Sequence, residues 1–113
     1  MQPDIETEPI VETRGDDWIW PFTFTDDNDN AIDLTGCSFD GAAIEWRGGS
    51  LVLDSASGRL SVDATAGSLT ITVARADNAA VPDGQRARCV LPIVDTLNQK
   101  STLLIIPIQV IAP

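Results

Sequence analysis

The chain has 113 residues, 43% of them apolar, and a formal net charge of −10 with no histidine. This length fits one domain with a single core, and no apolar run reaches the roughly 18 residues that a membrane-spanning helix needs. The excess of acids disfavours binding to nucleic-acid phosphates, and the lack of histidine removes the commonest general base and many metal ligands.

The negative charge is concentrated in the first part of the chain. Residues 1–46 contain twelve acids and one base, whereas residues 47–113 contain five acids and six bases. We predict that residues 1–14 form an acidic N-terminal arm or an added edge strand, and that residues 15–113 form a β-sandwich domain. The acids either line solvated loops that keep the protein soluble or form a surface that faces a basic partner protein. The first 20 residues have no basic start followed by an apolar stretch, so we expect no secretory signal.

The first clear element is an aromatic strand. Trp18, Trp20, Phe22 and Phe24 share one parity, which predicts a strand with one aromatic face. Pro21 cannot donate to a ladder hydrogen bond, so the strand is expected at a sheet edge or with a bulge. The last three aromatic rings are predicted to lie in the core. Trp18, which follows an acidic turn, is predicted to be partly exposed.

The next segment, DDNDN at residues 26–30, has the spacing of oxygen ligands found at the start of an EF-hand calcium loop. However, Ala31 and Cys37 occupy the positions where that loop requires Gly and Glu, and the flanking segments are predicted strands. We therefore predict a turn between two strands and no metal site. The following IDLTG is expected to return Ile32 and Leu34 to the core.

Alternating apolar residues and turn signals predict the remaining elements. The predicted strands are 38–47 and 51–53, a hairpin over 59–74 with ATAGS at its turn, and two long strands at 86–95 and 101–111. Residues 74–84 have room for one helical turn. About seven or eight short strands separated by turns indicate an all-β antiparallel β-sandwich.

Two cysteines with a tryptophan between them give the sandwich an immunoglobulin-like sequence pattern. Cys37 and Cys89 flank Trp46, but the chain has no tyrosine with which to build a tyrosine corner. We predict that both thiols are reduced and buried. The sandwich is therefore expected to be immunoglobulin-like at most.

The residues available for chemistry do not form a recognisable catalytic set. Lys100 is the only lysine and lies at a predicted turn, the cysteines lack a CxxC spacing, and no phosphate-binding glycine motif is present. We predict that the protein is not an enzyme and has no cofactor. Small β-sandwiches can bind sugars through exposed aromatic rings, so Trp18 and Trp46 are candidates for such a contact.

The order of motifs from residue 15 to residue 111 resembles a family of tailed-phage baseplate and tail proteins, exemplified by the N-terminal domain of the upper baseplate protein that anchors receptor-binding proteins. The motifs are Gly15-Asp16, WIWPFTFTDDNDN, the Ile32–Gly36 turn IDLTG, SFDGAAIEW, the 58–74 hairpin and the 86–111 strand pair. The resemblance implies an immunoglobulin-like sandwich that serves as a joining or decorating module.

The sequence and this resemblance lead us to expect a noncatalytic structural component of a phage or prophage virion, in the tail or baseplate. It would assemble with other virion proteins and form homo-oligomers in the particle, after synthesis in the host cytoplasm, without contacting nucleic acid or membrane. The alternatives are a carbohydrate- or cell-surface-binding adhesin module and a capsid decoration protein. The candidate interface residues are Trp18, Trp46, Asp16, Asp17, Asp26, Asp27 and Asp29.

Overall fold

The computed structural model describes residues 4–5 and 9–112, with side chains for residues 9–102 and 104–112. This part of the chain is all-β, with nine strands and one short 3₁₀ helix, Asn78–Ala80. The strands are β1 (Asp4–Ile5), β2 (Ile10–Thr13), β3 (Trp18–Thr23), β4 (Ala43–Trp46), β5 (Gly49–Val52), β6 (Leu60–Asp63), β7 (Ser68–Val73), β8 (Gly84–Val94) and β9 (Lys100–Ile111).

The strands form two sheets that enclose one core. The larger sheet has the order β1-β9-β8-β4-β5, with β2 also paired to β9, and the smaller sheet has the order β3-β7-β6. The buried apolar side chains of both sheets form a single cluster. The predicted β-sandwich is therefore confirmed.

The larger sheet departs from a purely antiparallel arrangement at one edge. β1 and β2 both run parallel to β9, with Ile5 opposite Ile105 and Ile10 opposite Ile108. The other pairs of neighbouring strands named above are antiparallel. An alternating pattern of apolar residues is the same in parallel and antiparallel ladders, so the pattern carries no information about strand direction.

The parity predicted for the aromatic strand is confirmed. Trp18 and Trp20 are buried and their rings stack with centroids 5.8 Å apart, whereas Ile19 between them is 63% exposed. β3 is an edge strand of the smaller sheet, which is where Pro21 costs no ladder hydrogen bond on its outer side. Phe22 and Phe24 pack against the core and are half-buried.

The predicted strand at 38–47 is shorter in the structure, where β4 begins at Ala43. A turn interrupts the segment: Gly41 has a φ of 93°, and Ala42 N–H donates to the Phe39 carbonyl. Ser38 pairs with Val94 as an isolated bridge. The predicted hairpin, the two long strands and the helical turn at residues 78–80 are confirmed.

Candidate functional site

The DDNDN loop is a turn built on one carboxylate. Asp26 Oδ1 accepts hydrogen bonds from the backbone N–H groups of Asn28 (2.9 Å) and Asn30 (3.0 Å). Thr25 pairs with Ala31 across the base of the loop, and Asp29 has a left-handed φ of 61°, a conformation that Asp and Asn tolerate better than most residues. The prediction of a strand connection is confirmed.

The loop between β8 and β9 repeats this geometry. Asp95 Oδ1 accepts from Leu97 N–H and Gln99 N–H, both at 2.9 Å, and Asn98 has a φ of 61°. Thr96 lies against Gly36 of the IDLTG turn, since a Cβ added to Gly36 would be 2.9 Å from the Thr96 methyl group. Ile32 and Asp33, which follow the DDNDN loop, line one depression with Asp95 and Gln99, so the two loops lie at the same end of the sandwich.

We call this the acidic end. It carries one base, Lys100. The Nζ of Lys100 lies close to Gly41, since a Cβ added to Gly41 would be 3.0 Å from it. The Asp33 carboxylate accepts hydrogen bonds from the Thr35 N–H and hydroxyl, which lower the pKa of Asp33. The acids of this end, on the loops and the strand ends beside them, are Asp26, Asp27, Asp29, Asp33, Asp40, Asp63 and Asp95.

The predicted interface residues Asp16 and Asp17 lie at the opposite end, where both fix a loop. Asn78, which is fully buried, donates to the Asp16 carbonyl at 2.6 Å and accepts from Gly15 N–H at 3.0 Å. Asp17 Oδ1 accepts from Arg75 N–H at 2.8 Å. Both aspartates are exposed, but the contacts shown are intramolecular, and a role in an interface stays a prediction.

The prediction that Trp18 is partly exposed is wrong. Its side chain is fully buried, and its indole N–H donates to the Thr13 carbonyl at 2.9 Å. The acidic turn before β3 suggested exposure, but Trp18 lies on the core face of β3 together with Trp20. Trp20 Nε1 is also buried, and no atom of the described residues lies in hydrogen-bonding geometry with it. Burial raises the pKa of the Glu12 carboxyl.

Trp46 lines a depression that we call the Trp46 pocket, formed by Trp46, Arg47, Pro82 and Arg86. Its ring is half-buried. The ring lies over Gly49, because a Cβ there would be only 2.7 Å from Trp46 Nε1. A role of this ring in binding stays a prediction.

The Trp46 pocket and the acidic end lie at opposite ends of the long strands. Trp46 pairs with Ala87 near the start of β8, whereas Ser38 pairs with Val94 at its end. Seven residues separate these two levels of β8, about 23 Å at the rise of a β-strand. The longest dimension of the described molecule is 40 Å.

The outer face of the larger sheet carries an apolar row. Val52 pairs with Ala43, Ala43 with Val90, and Val90 with Ile105, so four apolar residues lie side by side across four strands. We call these residues the apolar row. Val52 is 54% exposed, Val90 and Ile105 are half-buried, and Ala43 is buried.

Arg47, Pro82, Arg86 and the apolar row were missed by sequence reasoning, which looked for acids and aromatic rings. One signal could have found part of them: in GQRARCVL, the core residues Ala87 and Cys89 alternate with Arg86 and Arg88, which places both arginines outside the core. Pro82 also lines the Trp46 pocket. It lies on a loop far from Trp46 in the sequence, and no sequence pattern indicated that the two residues meet.

Both cysteines are free thiols, as predicted. Cys89 is buried between the sheets, and burial raises its pKa to about 12. Cys37 is only half-buried, so the prediction that both thiols are buried is wrong for Cys37. Within residues 4–5 and 9–112, no three His, Cys, Asp or Glu side chains are grouped so that they could hold a metal ion, and no helix is long and apolar enough to cross a membrane.

No protein-family model and no curated protein matches this chain. The function proposed for it therefore depends on its own surface and on the order of its motifs.

Proposed function

We propose that the protein is a noncatalytic assembly module that holds neighbouring protein subunits together in a tailed-phage or prophage virion. The apolar row is the observation that carries the assembly part of this proposal. The outer face of a sandwich sheet normally alternates with the core and is polar. Here that face carries the exposed Val52 on the edge strand β5 and the half-buried Val90 and Ile105 on β8 and β9, and apolar side chains that lie together at a surface mark protein-binding sites.

The virion setting is supported by the order of motifs that resembles the phage baseplate and tail family. Gly15-Asp16, the aromatic strand β3, the IDLTG turn, the β6–β7 hairpin and the β8–β9 pair follow one another in one sandwich. A rigid sandwich of this size suits a repeated position in a symmetric particle, where many copies give avidity to modest contacts.

The assembly function is tested by placing charge on the apolar row. Val52→Lys combined with Ile105→Lys is expected to weaken binding to partner subunits at least about tenfold, since lysine ammonium groups would have to be desolvated at the interface. Ile19→Lys is the matched control, because Ile19 is exposed on the other sheet and its change adds charge away from the row. Equal binding by both variants would contradict a role for the row.

The virion setting is tested on particles. Antibodies raised against the protein are expected to label the tails or baseplates of phage particles released from the host. Labelled heads would instead indicate the capsid decoration protein, and intact particles that carry no label would contradict the virion proposal.

A second candidate function, a carbohydrate-binding adhesin module, is favoured by the Trp46 pocket. A half-buried indole beside two arginines is suited to a sugar that carries a carboxylate or sulfate. A glycan array separates this function from assembly: binding to acidic glycans that is lost in Trp46→Ala supports the adhesin.

A further inference from the structure

The Trp46 pocket concentrates unpaired positive charge in an acidic protein. Among the described residues, the ion pairs join Arg14 to Asp83, Arg59 to Asp77 and Arg88 to Glu45. Neither Arg47 nor Arg86 is in these pairs, and both are exposed beside Trp46. This pocket is therefore suited to a ligand that carries carboxylates.

The acidic end supplies carboxylates in a fixed arrangement. Asp26 is occupied by the backbone N–H groups of its own loop, whereas Asp27 and Asp29 are exposed at the tip and their carboxylates make no hydrogen bond within the described chain. Because the loop is already held in its turn, little conformational entropy is lost when the tip binds.

We propose that the 26–30 loop of one copy of this chain docks into the Trp46 pocket of the next copy. The inference rests on the proposed assembly function and names a partner for it: a second copy. Arginine guanidinium groups bind carboxylates through paired hydrogen bonds. Trp46 and Pro82 supply apolar walls that exclude water and strengthen these charged contacts.

The two surfaces are different and lie at opposite ends of the molecule, so the contact is head-to-tail. Such a contact forms a closed ring if the rotation between copies closes, and otherwise an open filament. Glu45 lines an adjoining depression with Arg47, Arg86 and Arg88 and is paired with Arg88 at 3.6 Å, so these residues together leave a net positive charge beside Trp46.

The test exchanges the charges of the two surfaces. The loop variant, Asp27→Lys with Asn28→Lys, changes the formal charge of tip residues 27–29 from −2 to +1 and leaves the left-handed Asp29 in place. The pocket variant, Arg47→Glu with Arg86→Glu, changes the two arginine charges from +2 to −2. Oligomers are measured by sedimentation velocity on the full chain.

We expect the native chain to form oligomers that weaken at least about tenfold between about 50 mM and about 500 mM salt, because exposed charges are screened. Each variant alone is expected to be monomeric. An equimolar mixture of the two variants is expected to assemble, because each reversed surface then meets a complementary one. Mixing leaves the altered surface of each variant unchanged. Assembly of the mixture would therefore show that both variants are folded and that each was monomeric because of its reversed charges.

The control is Ile19→Lys with Ser61→Lys, which introduces two lysines, as the loop variant does, at exposed positions of β3 and β6 outside both surfaces, and is expected to assemble like the native chain. A native chain that is monomeric at both salt concentrations, or a mixture that stays monomeric, would overturn the proposal. Tight binding of acidic glycans to the monomer through Arg47 and Arg86 would also overturn it and assign the pocket to sugars. Antibody labelling of particles separates these failures from a failure of the virion proposal.

Discussion

Asn78 is the residue that joins the loop before β3 to the loop after β7. It is fully buried, and its amide binds the backbone at Gly15 and Asp16, more than 60 residues away along the chain. Its own N–H donates to the Ala74 carbonyl at 3.1 Å. A buried amide with donors and acceptors satisfied rigidifies its surroundings, whereas its loss leaves unpaired backbone groups.

We expect Asn78→Ala to lower the free energy of unfolding by about 2 kcal/mol, since two hydrogen bonds to Gly15 and Asp16 are lost together. Urea denaturation followed by tryptophan fluorescence measures this change, and the stacked Trp18–Trp20 pair is the natural reporter. Asn28→Ala is the matched control, because Asn28 is exposed at a loop tip, and should change stability by less than about 0.5 kcal/mol. Equal effects of the two changes would contradict the role of Asn78.

The burial of single residues was predictable only where the pattern was local. The alternation of β3 places Trp20 in the core, and the Asp/Asn composition of residues 26–30 predicts a turn. Trp18 shares the parity of Trp20, and the alternation holds from the first residue of β3, so its ring is buried although an acidic turn precedes it. The prediction of exposure was wrong because it gave more weight to that turn than to the alternation. The partner of its indole N–H, the Thr13 carbonyl, was not predictable from the local pattern.

At the scale of elements, the β6–β7 hairpin is tied to the segment after β3 through Gly67. Phe24 N–H donates to the Gly67 carbonyl at 2.8 Å, and Leu34 N–H donates to the Ala64 carbonyl at 2.9 Å. Gly67 has a φ of 65°, and a Cβ there would lie 2.5 Å from the Ile32 carbonyl oxygen. The hairpin turn therefore has no room for a side chain.

Gly67→Ala is expected to reduce stability by more than about 2 kcal/mol, combining the cost of a left-handed φ for alanine with displacement of the Ile32 backbone. Gly58→Ala isolates the first contribution, the cost of the left-handed φ, because Gly58 has a φ of 80° and open space around its Cα. It should cost about 1 kcal/mol. Thermal unfolding of both variants measures the difference, and a Gly67 variant no less stable than the Gly58 variant would show that no contact is displaced.

The alternation of apolar residues and the turn residues predicted most strands, because both signals depend on residues only a few positions apart in the sequence. They did not predict where β4 begins, since the turn at Gly41 reflects a φ of 93° that a glycine permits but does not require. They also did not predict that β2 runs parallel to β9. That pairing joins Ile10 to Ile108, and it is decided by which edge of β9 is free when the core closes.

At the scale of the whole molecule, two sheets shield one core while the ends and the outer face remain available for contacts. Cys89 lies in the middle of that core on β8, the strand that lies between β4 and β9 in the larger sheet. Cys37, in contrast, lies half-buried beside the IDLTG turn at the acidic end. The two thiols therefore report on different motions of the same fold.

We expect Cys89 in a Cys37→Ser variant to react with a thiol reagent only when the whole molecule unfolds. The thiolate is the reactive form, and burial that raises the pKa of Cys89 to about 12 removes the thiolate from the folded protein at ordinary pH. Its labelling rate should rise with urea as steeply as global unfolding does.

The complementary Cys89→Val variant should label quickly at Cys37, without that dependence on urea. Labelling of Cys89 that is fast and nearly independent of urea would mean that the sheets separate locally without unfolding. In that case we expect the edge formed by β1 and β2 to open first, because in the described part of the chain these two strands pair only with β9. Slow, urea-dependent labelling would instead identify the sandwich as one cooperative unit, which is the rigidity that an assembly module needs to hold its two ends at a fixed separation.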